Sequence, residues 1–209
     1  LTNELNNIQN KINSPRKTEI TETEEIIDDE ALITSEDVVV TLTNTGYIKR
    51  VPLNSYRSQK RGGKGRAGMT TKEEDFVNEV FVVNTLTPLL FFSSMGIVYK
   101  LKTYRLPSGS PTSKGKALVN LLPLRSGEKI TATMPYNLSD KKNNIIFATS
   151  SGNIRRNKLN DFHNINANGK IAMKLKENDN LVNVVVCSDK SNIFMSTKLG
   201  KCVRFGCKD

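Results

Sequence analysis

The order of apolar and polar residues divides this chain into a short helical segment, an acidic stretch and a long region of strands. Four apolar residues near the start follow the four-three-four spacing of one helix face: Leu1, Leu5, Ile8 and Ile12. Ser14-Pro15 ends the predicted helix, because the residue before a proline is disfavoured in the α conformation. We interpret residues 1–13 as the end of a longer helix, and residues 14–37 as an acidic linker with a short helix around residues 26–32.

From residue 38 onward, one strand pattern recurs four times. Each copy has an apolar run, then a hydroxyl residue, and three positions later a glycine; the copies occupy residues 39–46, 89–96, 145–152 and 193–200. The final glycines of these copies are separated by 50, 56 and 48 residues: Gly46, Gly96, Gly152 and Gly200. An apolar run that ends in glycine predicts a strand entering a tight turn, where glycine adopts a positive φ.

Each repeat contains further strand signals. A second strand follows the turn glycine, and another apolar run precedes the next repeat, at residues 80–83, 130–134 and 181–186. A glycine followed by a cation recurs 19, 19 and 17 residues after the turn glycine, at residues 65–66, 115–116 and 169–170. About four strands in a repeat of roughly 50 residues are typical of a propeller blade. We predict an all-β, propeller-like fold in which residues 38–209 form three blades and the start of a fourth.

The charge distribution changes at the same boundary. Residues 1–37 contain 3 Lys or Arg and 10 Asp or Glu, whereas residues 38–209 contain 28 and 11. A basic body behind an acidic leader indicates a polyanionic partner. A cation recurs four residues after every turn glycine: Arg50, Lys100, Arg156 and Arg204. We predict that these residues bind DNA together with the neighbouring strand and loop cations Lys49, Arg155, Arg66, Lys114, Lys116 and Lys170.

Few groups in this chain are suited to catalysis or metal binding. There is one histidine, His163, and the three cysteines lack zinc-site spacing: Cys187, Cys202 and Cys207. We expect reduced thiols in a cytoplasmic protein, with no metal, no cofactor and no catalytic residue in this chain. The chain begins at Leu1 rather than Met and stops within a repeat, so we expect it to be a fragment of a longer protein.

The most basic loop lies in the first repeat, and it carries a resemblance to a known family. Its sequence, Gln59-Lys60-Arg61-Gly62-Gly63-Lys64-Gly65, resembles the gyrase A box, QRRGGKG, which is the signature of the C-terminal domain of bacterial DNA gyrase A. Lys60 replaces the usual arginine and keeps its charge, although lysine cannot make forked phosphate contacts. Similarity continues at residues 37–43, 46–50, 91–94, 105–107 and 111–113, and residues 14–20 resemble the end of the preceding cleavage core.

This resemblance implies a β-pinwheel, a disc of six propeller-like blades that exchange strands with their neighbours. It also implies that double-stranded DNA wraps around the basic rim of the disc and that the box loop, residues 59–65, completes the wrap. The expected assembly is a chromosome-associated A2B2 heterotetramer with gyrase B and a second copy of gyrase A. That type II topoisomerase introduces negative supercoils, and its ATP and Mg²⁺ bind outside this chain.

Three alternative functions lead to different expectations. Residues 109–117 are similar to a phosphate-binding P-loop, but they have five residues between the glycines instead of four, and Ala117 replaces the Mg²⁺-binding Ser or Thr. A non-enzymatic basic propeller that binds an acidic protein is compatible with the charge distribution. The corresponding protein of topoisomerase IV has similar blades, lacks an intact box and decatenates DNA.

Overall fold

The computed structural model describes residues 1–12, 29–56, 75–137 and 142–208. The chain divides into two compact units, Leu1–Leu32 and Ile33–Asp209. In the first unit, helix α1 spans Thr2–Ile12, which confirms the predicted helix, and a 3-10 helix spans Asp29–Leu32. The apolar face of α1 is exposed. Among the described residues, no helix is long and apolar enough to cross a membrane.

The second unit is built from antiparallel strands, which confirms the all-β, propeller-like prediction. The described strands, in chain order, are β1 (Asp37–Thr43), β2 (Tyr47–Pro52), β3 (Val77–Asn84), β4 (Pro88–Ser93), β5 (Ile97–Lys102), β6 (Lys116–Ala117), β7 (Ile130–Pro135), β8 (Asn144–Thr149), β9 (Ile154–Lys158), β10 (Lys170–Ile171), β11 (Leu181–Cys187), β12 (Asn192–Ser196) and β13 (Cys202–Gly206). They form sheets in the orders β3-β1-β2-β6, β10-β5-β4-β7, β11-β8-β9 and β12-β13. We call these sheets blades one to four.

The turn of the hairpin that contains each turn glycine has the same chemistry in all four blades: β1–β2, β4–β5, β8–β9 and β12–β13. The turn glycines have φ between +74° and +85°, as the sequence predicts. The hydroxyl three positions before each glycine accepts a hydrogen bond from the amide that follows the glycine, at 3.1–3.3 Å: Thr43, Ser93, Thr149 and Thr197. The repeated hydroxyl therefore closes the hairpin, which explains why the pattern contains it.

Neighbouring blades exchange a strand. Strand β6 follows the β4–β5 hairpin of blade two in sequence, yet it pairs with β2 at the edge of blade one. Likewise, β10 follows the β8–β9 hairpin of blade three and pairs with β5 in blade two. Each exchanged strand is the glycine–cation element that the sequence repeats. This exchange is the arrangement that the resemblance implies, and it ties each blade to the next through the backbone.

The core lies between successive blades. Strand β4 has consecutive apolar residues from Leu89 to Phe92, because both of its faces are covered by neighbouring blades. Leu89 and Phe91 pack with Val38, Val40 and other apolar residues of blade one. The alternate residues, Leu90 and Phe92, pack on the other side of the strand against blade three. A strand buried on both faces has no polar alternation.

Candidate nucleic-acid interface

The exchanged strands place one lysine at an equivalent exposed position on each of two neighbouring blades. Lys116 follows Gly115 at the outer edge of blade one, and Lys170 follows Gly169 at the outer edge of blade two. Both side chains are exposed, although the Lys170 ammonium also donates to the carbonyl of Asp161 at 2.6 Å. The glycine before each lysine has φ of +82°. The glycine–cation element therefore combines a backbone joint with an exposed positive charge.

Close approach of neighbouring atoms explains why glycine precedes these lysines. A Cβ atom on Gly115 would lie 2.3 Å from the carbonyl oxygen of Ile48, so a side chain there would force the exchanged strand away from β2. A Cβ atom on Gly169 would lie 2.8 Å from side-chain atoms of Ile97 and Tyr99. Nearby, the Lys114 ammonium lies 3.7 Å from the centre of the Tyr47 ring, in a cation–π contact that leaves it half-buried.

The repeated strand cations hold the next repeat. The Arg50 Nε donates to the carbonyl of Leu106 at 2.9 Å, and the Lys100 ammonium donates to that of His163 at 2.7 Å. The Arg156 guanidinium donates to the carbonyl of Cys207. In each pair, the acceptor belongs to the repeat that follows the cation. The recurrence of a cation at this position therefore has a structural cause within the chain, in addition to any contact with DNA.

The surroundings of these cations differ. Arg50 and Lys100 are half-buried, whereas Arg156 and the fourth copy, Arg204, are exposed. Burial, followed by the nearby charge of Lys102, lowers the pKa of Lys100. Arg155, which neighbours Arg156 on β9, is exposed. Direct DNA contact by these residues stays a prediction, and Arg155, Arg156 and Arg204 are exposed to solvent.

Lys49 is placed differently from the predicted DNA-binding position. Its side chain is 0% exposed. Its ammonium donates to the carbonyls of Ser110 at 3.1 Å and Ser113 at 2.9 Å, and also to that of Pro111. Burial lowers the pKa of this amine. Lys49 therefore anchors the loop before exchanged strand β6, and no phosphate can reach it in this structure.

Three carboxylates that the sequence analysis did not single out occupy one repeated position in blades one to three, two residues before the edge strands β3, β7 and β11: Asp75, Glu128 and Asp179. Asp75 accepts from the Thr45 hydroxyl at 2.6 Å, and Asp179 accepts from the Ser151 hydroxyl at 2.6 Å. Both acceptors therefore hold hairpin turns. The recurrence of an acid before an apolar run was a signal that could have identified them.

Hydrogen bonding and burial set the pKa values of these groups. Hydrogen bonds, led by that from Ser151, lower the pKa of Asp179 well below its usual range. Burial alone would raise the pKa of Asp75, but hydrogen bonds, led by those from Thr45 and joined by those from Thr43 and Phe76, outweigh it, so the pKa is lowered. Glu128 is buried and accepts from the Tyr99 hydroxyl at 3.0 Å. Burial and then this carboxylate raise the pKa of Tyr99 to about 12. Asp75 and Glu128 are buried, whereas Asp179 is half-buried at its turn.

The basic box loop lies outside the described residues, as does Arg66. This applies to all seven predicted box residues, Gln59, Lys60, Arg61, Gly62, Gly63, Lys64 and Gly65. Their DNA contacts stay predictions. The described counterpart in the second repeat is the loop that Lys49 anchors, and it leads directly into β6.

Comparisons with known proteins agree with this architecture. The family model described as DNA gyrase C-terminal domain, beta-propeller, matches residues 37–84, 87–137 and 143–188. The DNA gyrase A protein of Rickettsia conorii is 50% identical over 208 residues, which cover 98% of this chain and 23% of that protein. The DNA gyrase A protein of Granulibacter bethesdensis is 45% identical over 97% of this chain and is covered to 22%. The chain therefore spans about a quarter of the length of these relatives.

Solved structures show the same fold. The C-terminal domain of DNA topoisomerase IV matches with a TM-score of 0.71 and 26% identity, over 83% of this chain and 53% of that one. The DNA gyrase A C-terminal domain matches with a TM-score of 0.60 and 25% identity, over 83% and 55%. The fold is common to both enzymes, whereas the higher sequence identity is with gyrase A proteins. The chain belongs to the DNA gyrase C-terminal domain, beta-propeller family.

Proposed function

We propose that this chain binds double-stranded DNA along the outer edges of its blades and bends it into a wrap. The observation that carries the proposal is the repeated placement of Lys116 and Lys170 on exchanged strands. Because the strand exchange repeats from blade to blade, it places positive charge at regular intervals. Both lysine side chains are exposed, so this charge is available to phosphates.

The energetics of wrapping require many contacts of this kind. Bending 20–30 base pairs by 40–90° costs about 1–6 kcal/mol by elastic estimates. Each phosphate that a cation neutralises releases counterions, and the logarithm of affinity falls with the logarithm of salt concentration by about 0.9 per phosphate. Phosphate contacts position DNA without reading its bases. We therefore expect steep salt dependence and little sequence specificity.

We further propose that the chain serves as the wrapping part of an ATP-dependent type II topoisomerase that introduces negative supercoils. Support comes from the relatives, which are named as DNA gyrase A proteins. In this proposal the intact protein assembles with gyrase B and a second copy of itself as an A2B2 heterotetramer. It acts on the chromosome in the bacterial cytoplasm. The DNA-cleaving residue and the ATP and Mg²⁺ sites belong to other parts of the assembly.

The test uses the intact enzyme with Lys60, Arg61 and Lys64 replaced by alanine. We expect supercoiling to be lost while ATP-independent relaxation is retained, because relaxation does not need a wrapped segment. The matched control replaces three exposed lysines outside the predicted site, Lys174, Lys176 and Lys190, and removes the same charge. Equal loss of supercoiling and relaxation in the box variant, or equal loss of supercoiling in both variants, would contradict a role specific to the box.

Decatenation is the second candidate, and the TM-score of 0.71 to the topoisomerase IV domain favours it. An intact enzyme that separates linked circles efficiently but cannot supercoil relaxed plasmid would support this candidate over the first. A third candidate, binding of an acidic protein, predicts that plasmid DNA is not shifted on a gel at moderate salt. These assays separate the three functions without reference to the box.

A further inference from the structure

Two buried thiols meet at the joint between the third and fourth repeats. Cys187 ends β11, and Cys207 directly follows β13. Their sulfur atoms are 3.0 Å apart, and both side chains are buried. A disulfide bond is about 2.0 Å long, so closing this gap requires a movement of roughly 1 Å. Cys202 is exposed and lies on β13 itself.

Few of the described residues form the apolar cluster at this joint. Cys187, Cys207 and Ile146 are its buried residues, with Ile154 and Ile193 packed against them. The other two inter-blade clusters each contain a dozen or more buried residues. Polar contacts supplement the small cluster: Asn144 donates to Asp189 at 2.6 Å, and Arg156 to the carbonyl of Cys207.

The surroundings of the pair favour a disulfide over a metal site and give a reagent access. Among the described residues, no group of three or more His, Cys, Asp or Glu side chains is placed to hold a metal ion. Cys207 lines an open cavity of about 530 Å³ with Arg156 and Phe205. Burial, and then the neighbouring Cys207, raise the pKa of Cys187 to about 12. Of the two buried thiols, Cys207 is the one that borders this cavity.

We propose that Cys187 and Cys207 form a disulfide site that covalently joins the third and fourth repeats when the protein meets a small disulfide such as oxidised glutathione. The Cys207 thiolate attacks one sulfur of the reagent, forms a mixed disulfide and releases one glutathione thiolate. Cys187 then loses its proton and attacks the Cys207 sulfur, which releases the second glutathione. The two protein thiols lose two electrons and two protons, and these convert one oxidised glutathione into two reduced molecules.

The test treats the intact protein with oxidised glutathione and maps the product with trypsin without reduction. Tryptic cleavage leaves each cysteine in its own peptide: residues 177–190 contain Cys187, residues 202–204 contain Cys202, and residues 205–208 contain Cys207. We expect peptide 177–190 joined to peptide 205–208. Because the wild-type protein is mapped directly, the result does not depend on whether a cysteine variant folds.

Two variants supply the controls. The exposed Cys202→Ala should leave the cross-link unchanged, whereas Cys207→Ala should abolish it and leave Cys187 as a free thiol. The cross-link should also slow hydrogen exchange in β12 and β13 several-fold, because it attaches their hairpin to blade three. Recovery of Cys187 and Cys207 as free thiols, or of Cys207 only as a glutathione adduct, under conditions that modify Cys202 would overturn the proposal. A cross-link through Cys202 would also overturn it.

Discussion

Strand exchange makes Gly115 a far more sensitive position than its backbone dihedral alone predicts. In Gly115→Ala, a residue at φ of +82° acquires a Cβ atom 2.3 Å from the backbone carbonyl of Ile48. That oxygen belongs to the strand with which β6 pairs, and backbone cannot rotate away as a side-chain end can. The substitution must therefore displace β6. Gly152 is the matched control, because it has φ of +83° and nothing within 4 Å of an added Cβ atom.

Both substitutions carry the free-energy cost of a left-handed backbone, but only Gly115→Ala adds an overpacked contact. Both place alanine in the left-handed region, which costs about 1–2 kcal/mol. Gly115→Ala adds the cost of relieving an overpacked contact, about 1–3 kcal/mol. We expect its free energy of unfolding, measured with urea and far-ultraviolet circular dichroism, to fall by at least about 1 kcal/mol more than that of Gly152→Ala.

Hydrogen exchange provides the local measurement for the same pair. The amide of Leu118 donates to the carbonyl of Gly46 at 2.8 Å, and this bond depends on the position of β6. Its protection should be lost in Gly115→Ala and kept in Gly152→Ala. Equal unfolding free energies together with unchanged protection at Leu118 would refute the close approach and, with it, the joint that the exchanged strand forms.

Three further predictions concern the polar groups of the blades. Lys49→Met should lower the free energy of unfolding by about 1–3 kcal/mol, because the carbonyls of Ser110, Pro111 and Ser113 lose a charged donor. It should leave the salt slope of DNA binding unchanged in filter-binding titrations. Asp179 has a lowered pKa in the folded protein, so the stability that it contributes is present above the unfolded-state pKa and is lost as pH falls through the folded-state pKa. In Asp179→Asn, the free energy of unfolding should therefore fall less steeply with decreasing pH below about pH 4, as measured by acid titration of unfolding. Replacing both Lys116 and Lys170 with alanine should reduce the slope of log affinity against log salt by about 1.8 if each contacts one phosphate, and an unchanged slope would exclude them from the interface.

The repeat pattern was sufficient to predict the hairpins, but it did not predict which exchanged strand pairs with each hairpin. The positive φ of the turn glycines and the strands on either side of them depend on neighbouring residues in the chain, so they can be predicted from the sequence. The pairing of β6 with β2 could not be predicted in the same way, because a strand of two residues has no periodicity. The close approach of Gly115 to Ile48 becomes visible only when two different repeats are placed side by side.

Cations were the least predictable residues. A lysine in a strand usually indicates a solvent-exposed position. Lys49 is nevertheless completely buried, because its ammonium donates hydrogen bonds to three carbonyls of a later loop. Arg50 and its equivalents Lys100 and Arg156 each donate a hydrogen bond to the following repeat. The recurrence of a cation at this position therefore reflects the assembly of the blades. Lys116 fits the predicted exposure because its strand lies at a sheet edge. Whether a cation faces solvent depends on contacts made about 50 residues away in the chain, as between Arg50 and Leu106.

Ligation of nicked circular DNA in the presence of the intact protein tests the proposed wrap most directly. A wrapped circle that is sealed while bound keeps the linking number of the wrap after the protein is removed. Wrapping predicts a topoisomer distribution shifted from that of naked DNA, with a shift that grows with protein concentration and is lost in the Lys60, Arg61 and Lys64 triple alanine variant. A distribution that is unchanged at saturating protein would contradict DNA wrapping by this domain.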